Sequence, residues 1–497
     1  MGADGRRRAA GDGADAGDVD VRPQALRAGH DDGSDQVKRG FLRRRAPRRA
    51  AAALAVVLLA AGCGNAAEDH ELADVVRAGP VDDLGLRTGK PYDGTKIRLL
   101  ICCNTTAQFL GIQDRTSAEF TKRTGIEVEW ANIPYESFLQ KIVAESALGT
   151  GTYDLVAWTD AFGASVRLGV QPLDGVMERA GMTLEDYPPP FREAATAGDP
   201  GTTYGLPFRG YAYSMYYRQD VYEKFGFEPP ETWDEYFGQL AELKESSPRH
   251  PIAGQYGRGS GQNLFTWLSM LWSNGGELFD ADGNVAFTSP QGVQATEKYI
   301  EMIRKGYSPR ASANWNETDA TQSLEQGRAD TVLTWTWQYD DFTNPNKVAP
   351  EVAENVRAAQ IPGWEGKERV PYGMTWLMGV LRSSEKQGAA WEYLKWVSNA
   401  KTERAVALDK SKPDQATSIS VHTSNMLDPE VNAANGGIPK LQYEALRNGR
   451  VIPTSINWPQ FQDTLEVAIN RMAHGGDVRS ELDAAAARIK KIEETGG

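Results

Sequence analysis

The residues best suited to chemistry in this 497-residue chain are concentrated in one short segment. Residues 334–340 read Thr-Trp-Thr-Trp-Gln-Tyr-Asp and follow a predicted strand. A pyranose ring has an apolar C–H face, which suits a flat aromatic side chain, and a rim of hydroxyl groups, which suits Asp, Asn, Gln and Arg. The pattern favours Trp335 and Trp337 as platforms for a sugar-like ring, although the same side chains could instead pack a core.

The elements that must position such residues follow from hydrophobic periodicity. Three predicted strands alternate with two predicted helices: strands 96–101, 126–130 and 154–158, helices 114–123 and 135–148. A β-α-β-α-β order predicts a mostly parallel α/β sheet. Ligands bind beyond the carboxyl ends of such strands. Those ends lie at 102–109, 130–133 and 158–162.

Later helices have clear end signals. Thr232 and Glu235 form a predicted capping box, and Ser289-Pro290 opens a helix that ends near Lys305. Residues 279–285 resemble a calcium loop, but Val285 replaces the required glycine, so we predict a hairpin turn. Two further helices are predicted over 459–473 and 478–492.

The N-terminal region carries an export signal. Arginines precede a run from Ala50 to Gly62, which is too short for the about 20 apolar residues that a membrane span needs. Cys63 follows directly and resembles the lipidated cysteine of a bacterial lipobox, with a plain secretory signal as the alternative. We expect residues 1–62 to be an extension plus signal peptide. The true start could lie near Val37, and residues 63–95 read as a flexible tether.

Charge and cysteine content exclude several classes of function. Residues 1–62 hold 12 basic and 8 acidic residues, so the remaining chain has 42 and 59 and a formal charge of −17. This balance argues against nucleic acid or anionic lipid as a partner.

Cys102 and Cys103 read as two small buried residues, with a vicinal disulfide as the alternative. The five histidines show no ligand spacing, so we predict no metal and no cofactor.

Several local motifs, in order, carry a resemblance to a known family. They are Tyr-Asp-Leu-Val at 153–156, Gln-Pro-Leu-Asp at 171–174, Tyr-Gly-Leu-Pro at 204–207, Tyr-Tyr-Arg at 216–218, Pro-Glu-Thr-Trp-Asp-Glu at 230–235, Asn-Gly-Gly at 274–276, Gln-Gly-Arg-Ala at 326–329, Pro-Tyr-Gly-Met-Thr-Trp at 371–376 and Ala-Trp-Glu-Tyr-Leu-Lys-Trp-Val at 390–397. Over residues 95–495 the chain resembles the carbohydrate-binding, maltose-binding-protein-like group of extracellular solute-binding proteins of bacterial ABC importers.

The resemblance implies an α/β fold of two lobes, each a mostly parallel sheet flanked by helices. Three hinge crossings would fall near 209–216, 373–378 and 451–456. The first lobe would contain 96–210 and 376–450, and the second 211–375 and 451–497. The solute would bind between the lobes, which close on it by hinge motion.

The resemblance also implies where the solute is held. The expected ligand-binding residues, each with an alternative turn, capping, ion-pair or core role, are Asn104, Thr105, Gln108, Trp158, Asp160, Arg209, Trp335, Trp337, Trp376 and Phe461. The expected function is capture of a sugar or oligosaccharide by a monomeric, lipid-anchored receptor on the outer face of the cytoplasmic membrane. Its partner would be the permease of an ABC transporter.

Other functions remain open from the sequence. A secreted carbohydrate-active enzyme would need two carboxylates about 5–10 Å apart, which the many acidic residues do not exclude. A receptor that feeds a sensor in place of a transporter would have the same sequence features. Polyols and glycerophosphodiesters stand beside sugars as candidate ligands.

Overall fold

The computed structural model describes residues 71–102, 107–412, 415 and 417–495. Predictions on Cys63, Asn104, Thr105 and the signal segment 1–62 lie outside the described residues. Gln108 lies within a described helix, but its side chain is outside the description.

Eight strands form one curled, mixed sheet in the order β2-β1-β3-β8-β4-β6-β5, with β7 also paired to β4. Their bounds are β1 Lys96–Cys102, β2 Glu127–Ile133, β3 Leu155–Thr159, β4 Leu206–Arg218, β5 His250–Ala253, β6 Ala329–Trp335, β7 Val356–Gln360 and β8 Gly373–Val380. The three predicted N-terminal strands are therefore present, each shifted or extended by one to three residues.

Strand β4 connects two halves of this sheet. Its residues Leu206 to Ala212 pair with β8, whereas Tyr213 to Arg218 pair with β6 and β7. We name the half with β1, β2, β3 and β8 the first lobe, and the half with β5, β6 and β7 the second lobe. Among the described strands, only β8 is antiparallel to its neighbours in the first lobe, and only β4 is antiparallel to its neighbours in the second. The expected two-lobed α/β class is confirmed, and the sheet is mixed, with a parallel pair of strands in each lobe.

Helices cover both lobes. Their bounds are α1 Leu72–Val75, α2 Ala107–Thr124, α3 Tyr135–Leu148, α4 Gly163–Val166, α5 Asp174–Ala180, α6 Pro189–Ala195, α7 Gln219–Phe225, α8 Trp233–Ser246, α9 Phe265–Ser273, α10 Pro290–Arg304, α11 Glu317–Glu325, α12 Tyr339–Phe342, α13 Pro350–Ala353, α14 Gln387–Val397, α15 Ala400–Leu408, α16 Thr423–Met426, α17 Pro429–Ala434, α18 Ile438–Leu446, α19 Trp458–Ala473 and α20 Val478–Thr495. Across the described ranges, none of these helices has the length and apolar character that a membrane span requires.

Local signals fixed several helix ends. The Thr232 hydroxyl accepts a hydrogen bond from the Glu235 amide at 3.2 Å, and the Glu235 carboxylate accepts one from the Thr232 amide at 3.2 Å. The predicted capping box of α8 is thus confirmed. The 279–285 segment is a turn closed by a bridge between Phe279 and Val285.

The structure differs from the predicted flexible tether over 71–95. Leu72 and Leu86 are 1% and 2% exposed, so this segment buries apolar side chains against the first lobe. The Arg87 amide donates to the Glu392 carboxylate of α14 at 2.8 Å. A segment that loses apolar surface and gains hydrogen bonds is held to the body, which composition alone did not indicate.

Candidate functional site

The point where β4 passes between the lobes carries a group of aromatic side chains. We call it the junction cluster, and its members are Tyr211, Tyr213, Phe265, Trp335, Tyr372 and Trp376. The Trp335 ring is its centre, with ring centroids of Tyr211, Tyr213, Phe265 and Tyr372 at 5.5, 5.1, 4.8 and 5.2 Å. Edge-to-face contacts at these distances stabilise aromatic pairs and fix the ring planes.

Tyr211 joins three of the predicted ligand-binding residues. Its hydroxyl accepts a hydrogen bond from the Trp376 indole N–H at 2.6 Å. The Arg209 guanidinium lies over its ring, 5.3 Å from the centroid, in a cation–π contact. Its ring edge contacts Trp335. Arg209, Trp335 and Trp376 therefore all contact the Tyr211 side chain, on the boundary between the lobes.

Glu317, at the first position of α11, holds Trp335 from the second lobe. Its carboxylate accepts hydrogen bonds from the Trp335 indole at 3.0 Å and from the Gln338 amide at 3.3 Å. Burial raises the pKa of this carboxyl to about 7, and the two side-chain hydrogen bonds act against that rise. Sequence reasoning missed Glu317, since nothing in its local pattern separates it from an ordinary first-turn acid of a helix.

Asp160 lies at the end of β3, where the carboxyl ends of the first-lobe strands point to the second lobe. It is 2% exposed, and its carboxylate accepts from the Tyr372 hydroxyl at 3.1 Å and the Ile452 amide at 3.2 Å. Burial raises the pKa of this carboxyl to about 7. The residue thus connects the first lobe to the segments near 372 and 452, which belong to two expected crossings.

Asp340 contacts the opposite lobe. It lies in α12 beside Phe342, whose ring packs on Tyr216 of the second lobe at 4.9 Å. Its carboxylate accepts from the amide and hydroxyl of Ser418 at 2.9 and 3.1 Å. The Ser418 segment belongs to the first lobe, because Ile419 lines a small cavity there with residues of α2 and β4. Burial raises the pKa of Asp340 to about 6.

The remaining predicted residues differ in burial. Trp337 is partly exposed and packs against the large hydrophobic core to which the junction cluster belongs. Trp158 is fully buried in the first lobe, in contact range of the backbone at Gly205 and Gly379, so its ring packs the sheet. Phe461 is 2% exposed and packs on Phe279 at 5.5 Å, within the second lobe.

Cys102 ends β1, is fully buried and is disulfide-bonded. The interpretation as an unlinked small residue is therefore wrong for this position. Cys63 and Cys103 are the other cysteines of the chain, and both lie outside the described residues.

The side chains of the junction cluster suit non-covalent binding of a solute and offer little for making or breaking covalent bonds. Flat rings, a guanidinium and half-buried carboxylates suit a solute with an apolar face and hydroxyl groups. Within the described ranges, no group of three or more His, Cys, Asp or Glu side chains is arranged to hold a metal ion. Sequence reasoning missed Tyr211, in β4, and Tyr372, just before β8, because tyrosines in or beside strands are usually assigned to the core.

Comparison with known proteins identifies the family. Relatives include a probable amino-acid ABC transporter periplasmic-binding protein of Sinorhizobium fredii, 26% identical over 412 residues, which are 82% of this chain and 88% of that protein. A mannitol-binding protein of Pseudomonas aeruginosa is 24% identical over 293 residues, which are 57% of this chain and 64% of that protein.

Solved structures show the same two-lobed fold. An ABC transporter solute-binding protein of Agrobacterium radiobacter in complex with ribitol has a TM-score of 0.68 at 23% identity, covering 81% of this chain and 100% of that chain. Maltose-bound MalE3 of T. maritima has a TM-score of 0.70 at 19% identity, covering 80% and 100%. The bacterial extracellular solute-binding protein family matches residues 104–404, more than half of the chain. The protein therefore belongs to the bacterial extracellular solute-binding proteins.

Proposed function

We propose that this protein captures a sugar or polyol between its lobes and delivers it to the permease of an ABC transporter, without doing chemistry itself. The observation that carries the proposal is the meeting of Arg209, Trp335 and Trp376 at Tyr211. Aromatic faces and charged hydrogen-bonding groups from both lobes then surround one solute. The affinity would come from burial as the lobes close.

We propose the lobe boundaries 96–210 with 376–450, and 211–375 with 451–497. The change of β4 partners between Ala212 and Tyr213 supports the first crossing. The proposed ligand-binding residues facing this boundary are Arg209, Trp335, Trp337 and Trp376, and Asn104, Thr105 and Gln108 stay predictions. Trp158 and Phe461 support the lobes from within, as their burial indicates.

The solute class is supported by what similar proteins bind. Ribitol and maltose are bound in two structures with the same fold, and a relative is named for mannitol. One relative is named for amino acids, so the test must include them. A thermal-shift screen of residues 64–497 with sugars, polyols and amino acids identifies the class. Binding adds about 2.7 kcal/mol of stability at one hundred times the Kd.

Trp337 provides the sharpest test of the site. Replacing this partly exposed ring by alanine removes a stacking surface, so we expect affinity for the screened solute to fall by about 2 kcal/mol, roughly 30-fold. The melting temperature should change little. Trp364→Ala is the matched control, because Trp364 is also partly exposed but donates to the Met270 carbonyl in the second lobe. Normal binding by the Trp337 variant would exclude this position from the site.

We also propose that Cys63 carries a lipid and holds the protein at the outer face of the membrane as a monomer. The apolar run that ends at Cys63 supports this assignment. Cys63→Ala should move the protein from the membrane fraction to the soluble fraction, while Cys103→Ala should leave it attached. Membrane attachment of the Cys63 variant would contradict the lipid anchor. Solute uptake in cells separates delivery to a permease from signalling to a sensor.

A further inference from the structure

Glu317 and Asp160 each accept a hydrogen bond from the junction cluster, and Glu317 accepts from its central ring. The Glu317 carboxylate accepts from the Trp335 indole at 3.0 Å and from Gln338 at 3.3 Å, and its amide donates to Gln262 at 2.9 Å. Trp335 is only 2% exposed, whereas Glu317 is half-buried. The acid therefore reaches from the edge of the cleft to the buried nitrogen of the central ring.

Among the described residues, this geometry leaves the carboxylate with hydrogen-bonding positions that no donor occupies. An ionised carboxylate has about four lone-pair positions, and the two side-chain hydrogen bonds occupy two of them. A donor from a solute can use the others without displacing the indole. The solute would then stack on Trp335 and donate a hydrogen bond to Glu317, which is itself bonded to the Trp335 indole.

The charges around the cluster favour an uncharged solute. Four acids stand near its edge: Asp160, Glu317, Asp340 and Asp341. Arg209 and Lys410 are the cations that interact with Asp340. Above pH 7, where Glu317 is mostly ionised, an acidic solute would meet a like charge there, which costs binding energy in a half-buried setting.

We propose that Glu317 is a positioning and specificity residue of the cleft: it fixes the Trp335 indole, accepts a hydroxyl group of the solute and disfavours anionic solutes. The choice of solute rests on the proposed function, whereas the positioning of Trp335 does not. The groups that face Glu317 are Tyr211 and Tyr213 from β4, Trp335 from β6 and Gln338 after it.

A ligand-free titration tests the positioning role. A protonated carboxyl is a weaker acceptor, so tryptophan fluorescence of the wild-type protein should change with a midpoint near pH 7. The pKa of Asp160 is also about 7, and its carboxylate accepts from Tyr372 beside Trp335, so these variants are compared in an Asp160→Asn background. In that background Glu317→Gln and Trp335→Phe should each remove the transition. Glu351→Gln, an exposed acid of α13 in the same lobe, should retain it. An unchanged transition in the Glu317 variant overturns the positioning role.

Solute binding tests specificity. Mannitol, ribitol and maltose serve as neutral probes, and glucuronate and glycerol 3-phosphate as anionic probes. For a neutral probe that binds, Glu317→Gln should raise the Kd at least about tenfold, through loss of a hydrogen bond to a charged acceptor. The same variant should bind anionic probes better than the wild type does. Equal Kd values in both proteins overturn the specificity role.

The two experiments separate the two levels of the proposal. If none of the probes binds the wild-type protein, the proposed solute class is wrong, and the titration still decides the positioning of Trp335. If Glu317→Gln melts more than a few degrees lower, Glu317→Asp repeats both measurements with the charge retained and the reach shortened. If Glu317→Asp shows the fluorescence transition but does not recover the wild-type affinity for neutral probes, the result supports both roles.

Discussion

Asp160 illustrates how burial determines the role of a single side chain. The resemblance implied that Asp160 is a ligand for sugar hydroxyls, with helix capping as the alternative, and its carboxylate accepts from Tyr372 and Ile452 at the hinge. Burial disfavours the charged form of this carboxyl, and neither of these two partners is a cation. Its pKa therefore rises to about 7. We therefore propose a structural role for Asp160, in which it ties the crossings to β3.

This role predicts a specific pH dependence of stability. The folded pKa of Asp160 is raised from 3.8 to about 7, so its contribution to stability is full below pH 3.8 and is lost as the pH rises towards 7. Asp160→Asn keeps an acceptor but does not titrate. We expect the free energy of unfolding of the wild type, relative to this variant, to fall by up to about 4 kcal/mol between pH 4 and 7.5. Urea unfolding at several pH values measures the difference, and parallel curves for the two proteins would contradict it.

At the scale of elements, the central strands of the first lobe accommodate Trp158 through glycine. A Cβ atom at Gly379 of β8 would lie 2.7 Å from the Tyr204 carbonyl and 2.9 Å from the Trp158 ring. Neither neighbour can move easily, because both are in the packed interior. The strand spacing and the buried indole therefore depend on one another.

Gly379→Ala should consequently destabilise the protein by about 1–3 kcal/mol, the usual cost of overpacking. Gly238→Ala is the matched control: Gly238 is exposed in helix α8, where an added Cβ meets nothing within 4 Å. That change should instead stabilise by roughly 0.5–1 kcal/mol through helix propensity. Chemical denaturation measures both. If Gly379→Ala does not lower the free energy of unfolding, the first-lobe sheet relaxes around the extra methyl group and this prediction is wrong.

For the whole molecule, the lobes are joined by hinge crossings and by the contact of Asp340 with Ser418. Removing the Asp340 carboxylate deletes two hydrogen bonds between the lobes. Asp340→Ala should therefore favour the open form and increase the radius of gyration without solute, as small-angle scattering can measure. Asp341→Ala is the control, since Asp341 pairs with Lys347 within the second lobe. A saturating solute should decrease the radius of gyration in every variant that binds it, and unchanged curves would argue against hinge closure.

The sequence by itself determined the fold class, the three N-terminal strands and several of the helices. Apolar periodicity identified β1, β2 and β3, and α3 begins at Tyr135 and ends at Leu148 as predicted. Capping residues fixed α8 because these signals are local and act within one helical turn. The order of motifs over 400 residues identified the family, which the match over 104–404 confirmed.

Only the tertiary structure decided which side chains meet. Trp158 and Trp335 lie at or next to the ends of buried strands, and their sequences do not reveal which one packs inside a lobe and which one stands at the junction. Glu317 and Tyr211 became visible as site residues only when β4, β6 and α11 were placed together. The physical reason is that periodicity reports which face of an element is buried, whereas a binding site depends on contacts between different elements, such as Tyr211 of β4 with Trp335 of β6.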